Sequence, residues 1–256
     1  FASTKGTVYT ININDAKLVR KIEKVGNINA HSKIHITEKS ILVVSGKALM
    51  SLNKLNGKKL WIYNANDVIS FSPVGNKDRI FISSKYTTHA IKTADGTRLW
   101  KTDWDGKAVA QSIFTDNTLV IFTDKGIAGI DITKGSRPKW SFNDYIVRSH
   151  PFYKDGFIYV GTDEGNLLKI NVKTGKLIWN IQINLVDIHL SGNNKYLFIA
   201  FNRDEFIIMD YTKGQEVNRY EGVRNDFIIY PIMSGDSDKS IFFFTKGLKL
   251  YKDSVN

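Results

Sequence analysis

Six short apolar, β-prone runs punctuate the chain, at 41–44, 79–82, 119–122, 157–160, 196–200 and 240–244. A polar turn and a second β-prone stretch follow each run, and no segment combines a helical apolar period with caps. This pattern predicts strands throughout and almost no helix. The stretch 161–179, GTDEGNLLKINVKTGKLIW, is the clearest. The apolar run 157–160 reads as a strand, Thr162-Asp163-Glu164-Gly165 as a turn and 167–172 as a second strand. Lys173-Thr174-Gly175-Lys176 is a second turn, and Leu177-Ile178-Trp179 opens a third strand. Two consecutive hairpins of this kind make three strands of an antiparallel sheet.

The second turn recurs. Ala16, Gly57, Gly96, Gly135, Gly175 and Gly214 are equivalent positions, with spacings of 41, 39, 39, 40 and 39 residues. Four of the copies place a tryptophan shortly after the glycine, at Trp61, Trp100, Trp140 and Trp179; the first copy has Arg20 there, and the last has lost the ring. Each unit reads as four strands, A to D: the apolar run is B, the tryptophan strand is D, and A precedes B at segments such as 68–74, 145–152 and 227–233. A period of about 40 residues with four strands per unit is the signature of propeller blades. The expected fold is an all-β propeller of four-stranded antiparallel blades, a single domain over residues 1–256. Glycine supplies the positive φ of the tight turn. Asn53, Asp131, Asn171 and Asp210 stand four residues earlier, where a side chain bonds the turn's own backbone. The four tryptophans are expected to pack blade against blade.

The pattern begins in mid-unit. Residues 1–6 align with 160–165, the end of a strand B, and the chain stops after a strand C at 248–252. Closed propellers complete one blade from both termini, which removes exposed edges. This predicts a seven-bladed ring with an N-terminal segment upstream of Phe1. The alternative is six blades, with 7–23 closing the last and the final strand displaced.

Composition narrows the function classes. At 42% apolar and 12% aromatic the chain is built to bury a core. Cysteine is absent, which removes disulfides, thiolate metal sites and thiol chemistry. The net charge of +11 favours anionic partners, or reflects lysines on solvated faces. No GxSxG elbow, P-loop, HExxH or EF-hand loop occurs. No apolar run approaches the length of a membrane-spanning helix.

Strand A lines the channel of a propeller. Aligning the units on strand B gathers Lys33, Ser72, Ser112, His150, His189 and Tyr230 in one layer. A second layer holds His31, Ser70, Ala110, Arg148, Asp187 and Ile228. The channel is thus predicted polar and mildly basic, with Asp187 and Arg148 as a salt bridge. Three histidines near one axis suggest a metal site, but they are read as sitting on blades well apart, without clustered carboxylates or short ligand spacing, so none is expected. On one rim, the C–D and A–B turns carry a ring of lysines and arginines. The other rim is mixed in charge. There Trp104, Arg203, Asp204, Glu205 and Arg224 fall outside the repeat pattern and are the candidate partner-binding residues.

The segment KINVKTGKLIW at 169–179 resembles the tryptophan-docking motif Ala-x-Asp-x-x-Thr-Gly-Lys-x-x-Trp of PQQ-like, quinoprotein-type propeller repeats, with Lys169 for alanine and Asn171 for aspartate. The resemblance covers nearly the whole chain. It implies a propeller fold and raises quinoprotein dehydrogenase activity. That site needs a vicinal disulfide, a calcium cluster and a catalytic aspartate, and none can be located here. The chain therefore reads as non-enzymatic, without catalytic residues, cofactor or metal. Stripped-down members of the family include the propeller lipoprotein of the machinery that assembles outer-membrane β-barrels. That relative has eight blades where seven are counted here. The likeness implies a protein partner, such as a β-barrel assembly subunit, and a periplasmic location with membrane attachment only through an upstream anchor. No nucleic-acid partner is expected. A ligand- or polysaccharide-sensing propeller is the alternative.

Overall fold

The computed structural model describes the chain except residues 24, 29–32, 116, 134, 136, 186–187, 202–204, 221–227, 234–239, 246–249 and 255–256; at 205, 228–233, 240–245 and 250–254 it describes the backbone alone. Among the described residues there is no helix, and the strands form seven sheets, five of four strands and two of three. The first sheet holds β1 (Ala2–Ser3), β2 (Thr7–Ile11) and β3 (Leu18–Ile22). The second holds β4 (His35–Ile36), β5 (Ser40–Ser45), β6 (Ala48–Asn53) and β7 (Lys59–Asn64). The third holds β8 (Val74–Gly75), β9 (Arg79–Ser83), β10 (Thr87–Lys92) and β11 (Arg98–Asp103). The fourth holds β12 (Ile113–Thr115), β13 (Thr118–Thr123), β14 (Gly126–Asp131) and β15 (Pro138–Phe142). The fifth holds β16 (Phe152–Lys154), β17 (Phe157–Gly161), β18 (Asn166–Asn171) and β19 (Leu177–Gln182). The sixth holds β20 (His189–Gly192), β21 (Tyr196–Phe201), β22 (Glu205–Asp210) and β23 (Gln215–Tyr220). The seventh holds β24 (Ile228–Met233), β25 (Ser240–Thr245) and β26 (Leu250–Ser254).

Strands follow chain order within every sheet. In repeat terms the first sheet supplies B, C and D, the last supplies A, B and C, and the other five supply all four. The central strands hold the core. The B strands β5, β13 and β21 are buried along nearly their whole length, on both faces. The D strands alternate instead: on β7, Leu60 and Ile62 are exposed while Trp61 is buried, the period-2 pattern of a sheet edge with one covered face. The C–D register shifts at one repeated place, between Ser51/Leu52, Ala90/Ile91, Lys169/Ile170 and Ile208/Met209. The residue before each shift therefore occupies the same position in these four sheets.

Strand A departs from the sequence pattern in two of the three named segments. The segments 68–74 and 145–152 are expected as continuous strands. The structure has only Val74–Gly75 with an isolated bridge Ile69↔Ser84, and Phe152–Lys154 with a bridge Val147↔Thr162. Pro73 and Pro151 fall in these segments, and each removes a ladder donor. The segment 227–233 is met by the continuous β24, an edge strand that carries Pro231 opposite Phe243.

The chain divides into two compact units: Phe1–Ile121 with Ile130–Pro138, and Phe122–Gly129 with Lys139–Asn256. In the first, Leu42, Leu49, Ile80, Ile82 and Ile91 pack with Trp61 and Ile69, while Phe81, Leu119, Ile121 and Ile130 pack with Trp100 and Trp104. In the second, Tyr159, Leu167, Leu197, Ile199 and Ile207 pack with Ile188 and Trp179. Each such side chain contributes roughly 1.5–3 kcal/mol through burial.

Loops fall into two sets. The C–D turns lie beside the A–B turns: Lys54 N donates to Lys39 O, Thr93 N to Asp78 O, and Val172 N to Gly156 O. The D–A loops lie beside the B–C turns: Ala65 N donates to Lys47 O, Trp104 N to Tyr86 O, and Asp163 N to Ile146 O.

Candidate functional site

The repeat builds one junction many times. Trp61 lies against Gly96 of the following repeat, so closely that a Cβ there would sit 2.7 Å from the ring. Its Nε1 donates to the Thr93 carbonyl, three residues before that glycine, at 3.0 Å. Trp100 does the same with Gly135 and the Ile132 carbonyl at 3.3 Å, and Trp140 with Gly175 and the Val172 carbonyl at 2.9 Å. The glycines are needed twice: Gly175 has φ 73°, and it presents a bare Cα to the ring. Asn53, Asp131, Asn171 and Asp210 each accept backbone N–H bonds from their own turn, for example Leu55 N to Asn53 Oδ1 at 2.8 Å. Arg20, at the tryptophan position of the first sheet, reaches the equivalent carbonyl: its guanidinium donates to Lys54 O at 3.0 Å.

The junction after Trp179 departs from this scheme. Its equivalent acceptor, the Tyr211 carbonyl, is taken by Lys169 Nζ at 2.8 Å, and Trp179 Nε1 is buried with no hydrogen-bond partner. Lys169 is only 5% exposed, and its ammonium lies 4.5, 5.6 and 5.9 Å from the ring centres of Phe157, Tyr159 and Tyr211. Burial pulls its pKa below the ordinary lysine value, opposed by the Asp210 carboxylate. Burial likewise pushes the Tyr159 phenol up. The corresponding residues elsewhere are Ser51 and Ala90, and a cation at this position has only ring faces and one carbonyl to meet it. Lys169 stands where the family motif has alanine. That mismatch was the available signal. Its aromatic surroundings were not readable, because they come from the neighbouring strand β17 and from the turn after β22 in the next repeat.

A second departure is His89 on β10, which is 2% exposed. Its Nδ1 lies 2.7 Å from the Tyr63 hydroxyl. Burial, with Lys101 and Arg98 adding, pulls its pKa to about 4, so the imidazole is neutral and shares a hydrogen bond with the Tyr63 hydroxyl whose direction follows the ring tautomer. Sequence reasoning missed this pair, since only the structure places Tyr63 beside the middle strand of the next sheet.

Residues of the two layers assigned to strand A make several contacts. In the first unit Lys33 N donates to Ser72 Oγ at 2.7 Å, and Ser72 N to Gln111 Oε1 at 2.9 Å. In the second, His150 and His189 stack with ring centres 5.9 Å apart. Arg148 is exposed, and its backbone N donates to Gly161 O. His31 and Asp187 lie outside the described residues. Of the loop candidates, Trp104 is half-buried, and its Nε1 donates to Thr88 Oγ1 at 2.9 Å. Glu205 has its backbone on β22, while Arg203, Asp204 and Arg224 lie outside the described residues. Among the described residues no group of three or more histidines and carboxylates is placed to hold a metal ion.

Residues 49–216 match the family model described as outer membrane protein assembly factor BamB. An uncharacterized protein of Rickettsia prowazekii is 23% identical, over 81% of this chain and 58% of its own length. Outer membrane protein assembly factor BamB of Yersinia pestis is 22% identical, over 80% of this chain and 60% of its own. The chain thus spans a little over half the length of the curated relatives it matches. Among solved structures, BamB from Moraxella catarrhalis covers 99% of this chain, and 78% of its own is covered, with a TM-score of 0.81 at 14% identity. The computationally designed protein Ika8 gives a TM-score of 0.71 at 12% identity, with 99% of this chain and 92% of its own covered. These likenesses establish an all-β propeller of antiparallel blades. With the repeat motif and the match over 49–216, the chain belongs to the PQQ-like repeat family described as outer membrane protein assembly factor BamB.

Proposed function

We propose that this chain is a non-catalytic, protein-binding propeller that supports the assembly of outer-membrane proteins from the periplasmic side, held at that membrane. The observation that carries the reading is the match of residues 49–216 to the assembly-factor family. The organisation of the repeat agrees with it. The large aromatic side chains and glycines that dominate the sequence motif are consumed in fastening one sheet to the next, which leaves the loops for recognition. The partner is another protein, a subunit of the β-barrel assembly machinery. Its contact residues lie on the D–A and B–C loop side, with Arg203, Asp204, Glu205 and Arg224 contributing charge and Trp104 supporting the loop it anchors.

The test is retention of the barrel subunit's periplasmic domains on the immobilised chain. The unmodified chain retains them, and the double charge reversal Arg203→Glu with Arg224→Glu lowers retention at least tenfold while the circular dichroism spectrum stays unchanged. Equal retention by the double variant refutes the loop assignment, and no retention by the unmodified chain refutes the assembly reading.

A further inference from the structure

The side of the first unit opposite those loops carries a feature that blade packing does not use. The turns 37–40 and 53–58 are fastened by Lys54 N donating to Lys39 O at 2.9 Å, and Arg20 on β3, the strand that leaves the 12–17 turn, donates its guanidinium to Lys54 O at 3.0 Å. The 53–58 turn and its next residue carry Lys54, Lys58 and Lys59 with no carboxylate among them, and Lys39 stands beside them. All four are exposed, and none makes an ion pair among the described residues.

The apolar residues on the same turns are more informative than the charge. Ile13 is 92% exposed and Leu55 80%, the two most exposed large apolar side chains among the described residues. Leu55 sits on a turn tip between Lys54 and Lys58; Ile13 tips the equivalent turn of the preceding repeat, where Lys17 pairs with Asp15, and Glu38 adjoins Lys39. Neither contributes to a core, and an apolar side chain held in water beside cations gains free energy only when a partner covers it. A polyanion in solution would satisfy the lysines and leave both tips wet. A surface that offers negative headgroups with hydrocarbon just beneath satisfies both at once: the ammonium groups stay at headgroup level and the short apolar tips pass below it.

We propose that this edge of the first unit docks on an anionic phospholipid bilayer, with Ile13 and Leu55 entering the interface and Lys39, Lys54, Lys58 and Lys59 meeting the phosphates. The assignment is independent of the protein-binding loops, and its test needs no protein partner.

The test is co-sedimentation of the full chain with vesicles. Equimolar phosphatidylglycerol and phosphatidylcholine should bind it, and pure phosphatidylcholine should not. Binding should fall steeply from about 0.1 M to about 1 M salt, as the Debye length shrinks from about 10 Å to about 3 Å. Combining K54Q, K58Q and K59Q should weaken the partition coefficient on the order of 100-fold, about fivefold per lysine. Ile13→Asp with Leu55→Asp should weaken it at least tenfold, whereas Ile62→Asp, an exposed apolar position on β7 away from these turns, should not. All substituted positions are exposed, and unchanged circular dichroism checks each fold. The proposal is overturned if the anionic vesicles fail to bind. It is also overturned if the Ile13/Leu55 variant binds as well as the unmodified chain, or if polyglutamate in solution competes fully at equal charge concentration, which would assign the edge to an acidic polypeptide instead.

Discussion

At the scale of single residues, the repeat is most informative where it is broken. Ala16 occupies the turn position that glycine holds in the other five copies, and it adopts the same left-handed backbone, with φ 55°. That conformation costs a residue with a Cβ roughly 1–2 kcal/mol. Ala16→Gly is therefore expected to raise stability by about 1 kcal/mol, after the extra freedom of glycine in the unfolded chain is allowed for. The midpoint of urea unfolding measures it, and no shift or a drop would mean that the turn is not strained. The left-handed turn could be read from the alignment alone, because position fixes backbone conformation in a repeat. The alignment put His150 and His189 in one layer but on blades read as well apart; their stacking came from the structure. The setting of Lys169 was not: Phe157 and Tyr159 come from the neighbouring strand and Tyr211 from the next repeat, so three separate segments must be in register before the cage exists.

At the scale of elements, strands B, C and D followed from apolar runs and turn chemistry, since both signals are local. Strand A followed only in the last repeat, where β24 (Ile228–Met233) is continuous. At 68–74 and 145–152 the β-prone residues suggested full strands, but short pieces and isolated bridges are found around Pro73 and Pro151, and the pattern of hydrophobicity carries no information about a missing N–H. Between elements, the tryptophan junctions are chemically unequal, which gives a paired prediction. Trp140→Phe removes an indole donor from the Val172 carbonyl, whereas Trp179→Phe removes an indole whose N–H has no partner. Both variants lose ring area. The Trp140 variant should be the more destabilised by about 1 kcal/mol, the net worth of one hydrogen bond. Urea unfolding of the two variants side by side gives the difference, and equal losses would show that the indole bond contributes nothing.

At the scale of the whole molecule, the regular period was enough to establish the class of fold, because about 40 residues per unit leave room for four short strands and little else. The charge of +11 spoke only to anionic partners; which edge carries them, and that apolar tips accompany them, required the packing of turn against turn. Stability in acid depends on the folding equilibrium of the entire chain, and His89 gives it a definite sign. Its pKa is pulled from 6.5 to about 4 in the folded state, so below about pH 6.5 the unfolded chain takes up a proton that the folded chain refuses. Stability is fully present above that pH and is lost as the pH falls toward 4, by up to about 3 kcal/mol. His89→Gln should flatten this part of the pH–stability curve relative to the unmodified chain. Curves of the same slope between pH 7 and 4 would remove His89 from the account.

The recurrence of one turn in every repeat poses a problem during folding, since a strand D could close on the wrong turn. The fasteners differ, however: a guanidinium after the first sheet, indoles after the next three, and an ammonium walled by aromatic rings at 169. They act as a key code along an otherwise uniform chain. A junction formed out of turn at this sheet would leave the Lys169 cation without the Tyr211 ring and carbonyl, at the cost of a poorly compensated buried charge, so the fifth sheet discriminates against any other neighbour.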